Sequence, residues 1–293
     1  MTTISDLVGQ IERDLLNHYS RPLYDKPAAS YSNVATTIQL STIDSLSAGA
    51  ILDAEFELMY VTAWVTATKT ATVIRGFLGT TASAGTTSTL VRVNPRVPTP
   101  AIYDTILDEV RSWDENLFNI EKEALSFASD VTSVQANPTL VPYRLLYARP
   151  RPDNSTDVRT WVNALLVRGE AVSQFSSTYS VQVEYSFGSA TIIDVAYAVP
   201  FNITGITNSS SLETVGLTSG MFEILKWGSL ARIVMGKEIN RLDPTSVNRP
   251  DFDQAVPAMS LIQTGMQFMK FRDTAYNREA RRLLGSWPRR FNG

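Results

Sequence analysis

Residues 219–242, SGMFEILKWGSLARIVMGKEINRL, constrain what this chain can fold into more than any other stretch. At helical spacing Met221, Phe222, Leu225, Trp227, Leu230, Ile233 and Val234 fall around most of the circumference, with Ile224 and Met235 filling the gaps. Such a helix has little surface to give to water and needs cover on several sides. Where long helices are few, a second copy of the chain is expected to supply part of that cover, and these seven residues are read as an intersubunit face.

Three other stretches carry the helical period. Ile4, Val8, Ile11 and Leu15 form one stripe, opened by Thr3 and Asp6 at capping-box spacing. Thr99 and Pro100 suit an N-cap and a first helical position, and Ile102, Ile106, Val110, Trp113 and Leu117 follow on one face. A longer helix is expected over 257–285, striped by Ala258, Ile262, Met266, Met269, Tyr276, Ala280 and Leu283 and stopped by Pro288. Between these lie β-prone runs: TTIQLS, EFELMYVTAWV, TATVIRGF and TLVRVNPR, then YRLLYARP, TWVNALLVR, STYSVQVEYSF and ATIIDVAYAVPF. Gly188-Ser189 between the last two predicts a two-residue hairpin turn. The expected fold class is α+β, a helical core of about four helices including the long C-terminal one, with two inserted antiparallel β segments. The core and docking segment would comprise 1–20, 98–128 and 215–293; the insertions would be 30–97 and 129–205.

Composition removes much chemistry. The chain has no cysteine and one histidine, His18, so disulfides, zinc ribbons, thiol nucleophiles and Ser-His-Asp triads lack raw material. His18, near a helix end, reads as a surface or capping residue. No run of about eighteen apolar residues exists to span a bilayer. The N-terminus lacks a signal-peptide layout, so synthesis and folding in a cytoplasm are expected. Carboxylates remain. Asp53, Glu55 and Glu57 alternate as they would on one strand face, Asp104 and Asp108 lie one helical turn apart, and RLDPTSVNRPDFD at 241–253 lacks EF-hand register. None singles out an acid pair, so the expectation is no enzyme, no cofactor and no metal.

The stretch VIRGFLGTTASAG at 73–85 looks at first like a phosphate loop. No lysine follows Gly79, and the next regular run is a strand, so Gly76 and Gly79 read as turn positions and Arg75 as a turn residue with a surface or intersubunit contact. Charge is uneven: the net charge is −3, yet residues 270–293 carry seven basic and two acidic side chains. A basic segment tipped with aromatics suits docking onto another protein.

Several motifs together carry a resemblance. VIRGFLGTTASAG with VRVNPR resembles an RGxxGTxA pattern of tailed-bacteriophage structural proteins, although related stretches often carry a histidine where Ala84-Gly85 stand here. VAYAVPF, GKEINRLD, AVPAMS and REARRLLGSWPRRF resemble, in that order, head-to-tail adaptor (connector or neck) proteins of those phages. The resemblance runs from about residue 55 to the end. It implies a virion protein of the neck, assembled in the host cytoplasm, that forms a ring with itself, dodecameric in the family. The ring would join the portal protein above to a tail or lower neck protein below, with no membrane involved. Genome DNA would pass through the lumen without sequence-specific binding, past acidic walls that do not grip it. Arg278, Arg281, Arg282, Trp287, Arg289, Arg290 and Phe291 would dock into the portal. A baseplate or tail-fibre component with a receptor- or glycan-binding β domain is the alternative, and a carboxylate hydrolase a third.

Overall fold

The structure, a computed structural model, describes residues 3–15, 23–150, 162–168, 179–184, 191–204, 206–207, 209–242 and 260–287. Among the described residues it holds four α-helices and twelve strands in three sheets. The chain forms two units, each assembled from separated stretches.

The first unit comprises 1–109, 207–211 and 223–272. Helix α1 (Ile4–Leu15) opens with the expected reciprocal cap: the Thr3 amide donates to Asp6 Oδ2 at 2.9 Å and the Asp6 amide to Thr3 Oγ1 at 3.1 Å. Its apolar stripe is buried throughout. Strands β1 (Leu23–Asp25), β2 (Thr37–Gln39), β3 (Ile51–Ala54), β4 (Glu57–Val65), β5 (Thr70–Ile74) and β6 (Val91–Val93) make one antiparallel sheet, curled into a half-barrel, in the order β1-β6-β3-β4-β5-β2. The curl closes the sheet over its own apolar core, including Ile38, Leu52, Met59, Val61, Val73 and Val91. Helix α2 (Thr99–Arg111) follows β6.

The second unit comprises 110–206, 212–222 and 273–293. Strands β7 (Asn119–Phe127), β8 (Ser133–Ala136), β9 (Arg144–Pro150), β10 (Ala164–Arg168), β11 (Tyr179–Val183) and β12 (Thr191–Val199) form two three-stranded sheets, β10-β11-β8 and β7-β12-β9. Inward residues of both, among them Phe127, Val181, Val183, Ile193 and Tyr197, share one core. Helices α3 (Ser219–Leu242) and α4 (Ser260–Ser286) each contribute residues to both units.

This arrangement overturns the expected fold class. The molecule is strand-rich, and its β regions are not insertions in a helical core. Each sheet region buries a core of its own. The expected second helix also runs too far. It stops at Arg111, where Asp114 turns the chain by accepting the Asn116 amide at 2.8 Å, although Trp113 and Leu117 stay buried. Beyond it, residues 119–127 become β7, paired along its length with β12. Its Glu- and Lys-rich sequence favours helix locally, and the pairing overrides that preference. The expected hairpin at Gly188-Ser189 is not made between the described strands. β11 pairs with β10 and β8, whereas β12 pairs with β7 and β9, in a different sheet. Residues 185–190 themselves, like His18, Ala258 and the 243–253 part of the acidic stretch, lie outside the described residues.

Candidate functional site

The loop after β5 is organised by a nearly buried arginine. Arg75 leaves the end of the strand and its guanidinium donates from every nitrogen. Nε and Nη2 grip Glu57 Oε1 and Oε2 at 2.7 Å each, Nη1 reaches the Ser32 and Ala35 carbonyls at 2.8 Å, and Nη2 also reaches the Ser83 carbonyl at 2.5 Å. All five N–H donors are used, which a lysine could not reproduce. The Tyr31 ring lies 5.3 Å from the guanidinium carbon. Glu57 is fully buried and also accepts the amides of Gly76 at 3.0 Å and Ser83 at 2.9 Å. Burial pushes the Glu57 carboxyl up, but Arg75 and those amides outweigh it and hold the pKa below the ordinary glutamate value. Arg75 is therefore an internal clamp rather than a surface contact.

Glycines make the clamp possible. Gly76 has φ 61°, and a Cβ there would lie 2.7 Å from the Thr80 carbonyl oxygen. At Gly85 a Cβ would meet the Tyr31 ring at 2.3 Å, so neither histidine nor any other side chain fits beside that ring. Between Gly76 and Gly79, Phe77 turns inward onto Tyr60 with ring centroids 5.2 Å apart. Leu78 turns outward with φ 55° and is 74% exposed. A left-handed leucine costs roughly 1–2 kcal/mol, a strain that the surrounding clamp sustains.

The acidic trio disperses. β3 and β4 form a hairpin whose two-residue turn is Glu55-Phe56, with φ 49° and 67°, as a type I′ turn requires. The trio thus crosses a turn instead of sharing one strand face. Asp53 is buried and caps α2, accepting the Thr99 amide at 2.7 Å and its hydroxyl at 2.9 Å. Arg92 lies 3.5 Å from it and also pairs with Glu12 at 2.5 Å. At Asp53 burial wins over these contacts and raises the pKa above the usual aspartate value. Glu57 serves Arg75. Asp104 and Asp108 sit exposed on α2. Among the described residues no group of three or more potential metal ligands occurs.

The helices carry two carboxylates that sequence reasoning did not single out. Glu109, fully buried on α2, receives Arg232 Nε and Nη2 at 3.1 Å and Arg272 Nε at 2.8 Å. Gly228 leaves it room, since a Cβ there would come within 2.4 Å of the Glu109 carboxyl carbon. In the second unit Glu279 lies against the start of α3, accepting the Thr218 hydroxyl at 2.6 Å and the Arg282 fork at 2.9 and 2.7 Å. Burial raises the Glu279 carboxyl, but Arg282 and Thr218 outweigh it and lower its pKa. No sequence signal marked either one, since Glu109 and Glu279 lie on α2 and α4 while the glycines beside them, Gly228 and Gly220, lie on α3.

The residues assigned to subunit contact and docking have these places. Met221, Leu225, Leu230, Ile233 and Val234 are buried by the chain itself, so the cover expected from a second subunit is supplied internally. Phe222 and Trp227 are half-buried, and Trp227 stacks on Phe268. Of the docking set, Arg278 and Arg281 are exposed on α4, Arg282 serves Glu279, and Trp287 stacks on Tyr147 at 5.4 Å. Arg289, Arg290 and Phe291 lie outside the described residues.

The second unit also holds a cleft of about 200 Å³ walled by Val110, Trp113, Leu117, Pro200, Phe201 and Ile203, with Tyr143 and the cation Arg111 completing its lining. The Trp113 and Phe201 rings meet edge to face at 5.2 Å. No helix among the described residues is long and apolar enough to cross a membrane. Comparison with protein-family models and with curated proteins finds no match to this chain.

Proposed function

We propose that this chain is a structural protein of the tailed-bacteriophage virion, a head-to-tail adaptor that joins the portal to the tail and docks through its basic C-terminal segment. The observation that carries the reading is the end of α4. There Arg278 and Arg281 are exposed on a helix whose base is fixed by Glu279 and by the Trp287–Tyr147 stack. A rigid basic helix end, followed by further arginines, offers an acidic partner a preorganised target and speeds encounter. The internal engagement of Asp53, Glu57, Glu109 and Glu279 supports an architectural role over hydrolysis, since none is held ready for substrate. In this role the protein works as a ring with DNA passing through it, in contact with the portal and with a tail or lower neck protein.

Cryo-electron microscopy of intact particles carrying a label at the C-terminus tests the reading. Label at the portal–tail junction, and loss of portal binding on deleting 281–293 or on Arg278→Glu with Arg281→Glu, are expected. Label at the distal tail would overturn it in favour of the baseplate reading, for which the two-sheet core of the second unit is the supporting feature. Absence from the particle would overturn both.

A further inference from the structure

The half-barrel of the first unit is weakest where its two edges meet. The edge strands β1 and β2 do not pair with each other, but the residues that follow them do. The Ala28 amide donates to the Gln39 carbonyl at 2.8 Å and the Ser41 amide to the Lys26 carbonyl at 2.9 Å, around an isolated bridge between Pro27 and Leu40. By contrast, β3 and β4 pair over four residues and β4 and β5 over five. Lys26, Ala28, Gln39 and Ser41 are all exposed, so water competes for both bonds of this seam. Short pairings with solvent-exposed backbone bonds are where folded proteins open locally.

A side chain holds the seam shut. Asp25, buried at the end of β1, accepts the amides of Lys26 at 2.7 Å, Thr42 at 3.0 Å and Ile43 at 2.9 Å, and the Thr42 hydroxyl at 2.8 Å. All but the Lys26 bond cross the seam. Burial pushes the Asp25 carboxyl up, but the amides and the hydroxyl outweigh it and hold the pKa below the ordinary aspartate value. The charged groups around it are Lys26 beside it, the Lys69–Asp44 pair on the facing segment, and Arg92 and Glu12 on the side of Tyr24. None of them bonds the carboxylate, whose partners are all neutral. Glu57 differs: its release would strand the guanidinium of Arg75. Releasing Asp25 strands no charge, because the freed amides and hydroxyl meet water as the segment moves away.

We propose that Asp25 is the latch of a seam at which the half-barrel opens and closes while its other strands stay paired, and that protonation of Asp25 releases it. Closed, the residues beyond the two edge strands satisfy each other. Open, the backbone groups of 26–28 and 39–41 become free sheet edge, the kind of surface on which another strand adds. The device belongs to the first unit alone and goes beyond the adaptor reading, on which it does not depend.

Amide-resolved hydrogen exchange on the full chain, corrected for intrinsic rates, reads the seam. Asp25→Asn keeps the side chain's shape but puts a donor where an acceptor is needed. In it the amides of Ala28, Ser41, Thr42 and Ile43 should exchange about tenfold faster at neutral pH, with the Val61 amide, bonded to the Ala50 carbonyl at 2.9 Å, unchanged. In the wild type, the stability that Asp25 gives the closed seam is present above the ordinary value of 3.8 and is lost as pH falls through the lowered one. The same four amides should therefore lose protection relative to Val61 between about pH 5 and about pH 3, a response absent from Asp25→Asn. Thr42→Val removes only the hydroxyl donor and should speed these amides about threefold. Unchanged exchange at the seam in Asp25→Asn overturns the proposal. So does acceleration of Val61 together with the seam in either variant, or an acid response that survives Asp25→Asn. Should Asp25→Asn not fold, Thr42→Val and the wild-type acid response decide by the same comparison with Val61.

Discussion

Arg75 and Arg282 grip buried glutamates with the same two-nitrogen fork, yet they stand in opposite relations to solvent. Arg75 is nearly buried and spends its remaining donors on three carbonyls of two loops. Arg282 is 51% exposed, and its partner Glu279 has a second donor in Thr218. Only the first arginine is irreplaceable, because only its loss strands a buried charge together with unpaired backbone groups. A salt bridge is thus informative about stability through what else its members hold.

The comparison can be broken in order of effect. Arg75→Ala should cost about 3–5 kcal/mol, read as a fall in the urea midpoint at constant slope. Arg75→Lys should recover little of this, since one ammonium cannot fill five donor positions. Gly76→Ala should cost about 2–3 kcal/mol, because the added Cβ meets backbone at Thr80 and the φ of 61° is unfavourable for alanine. The matching glycine of the other clamp, Gly220, would place a Cβ 2.4 Å from Glu279 Oε2, the end of a flexible side chain. Gly220→Ala should therefore cost only about 1 kcal/mol. Arg282→Ala should cost less than about 1 kcal/mol, as expected for a pair screened by water on one side.

Acid titration sharpens the same contrast. Glu57 and Glu279 both have pKa values lowered in the folded state from the ordinary 4.5. Their stabilisation is present above that value and is lost as pH falls through the lowered folded-state values. Glu57→Gln should be less stable than wild type at neutral pH but show a flatter loss of stability below about pH 4.5, measured by urea unfolding across the range. Asp53, whose pKa is raised by burial, has the opposite slope, and Asp53→Asn should steepen the acid loss slightly.

Much of the local structure was legible. Apolar stripes of period 3.6 marked α1, α2 and α4, an apolar run around most of the circumference marked α3, and the β-prone runs coincide with β2, β4, β5, β6 and β9 to β12. The Thr3–Asp6 cap behaves as its spacing predicts. The misreadings differ in kind. The short strands β1, β3 and β8 fell outside the β-prone runs, whereas β7 carries helix-favouring residues. Glu55-Phe56 makes a type I′ turn without the glycine or asparagine that would announce it. Arg75 and Glu57 were both noticed, but eighteen residues apart they gave no sign of meeting.

What the sequence by itself determined is the set of faces: which side of each helix and of each longer strand is apolar, and which turns need glycine. That follows from side-chain periodicity and backbone sterics, which are local. Only the tertiary structure decided which faces meet. It placed β11 and β12 in separate sheets, made residues 119–127 a strand, covered α3 from within the chain, and left Leu78 and Val34 outside. Those outcomes depend on closing long loops and on pairing buried charges across them, energies that arise only when distant segments come together.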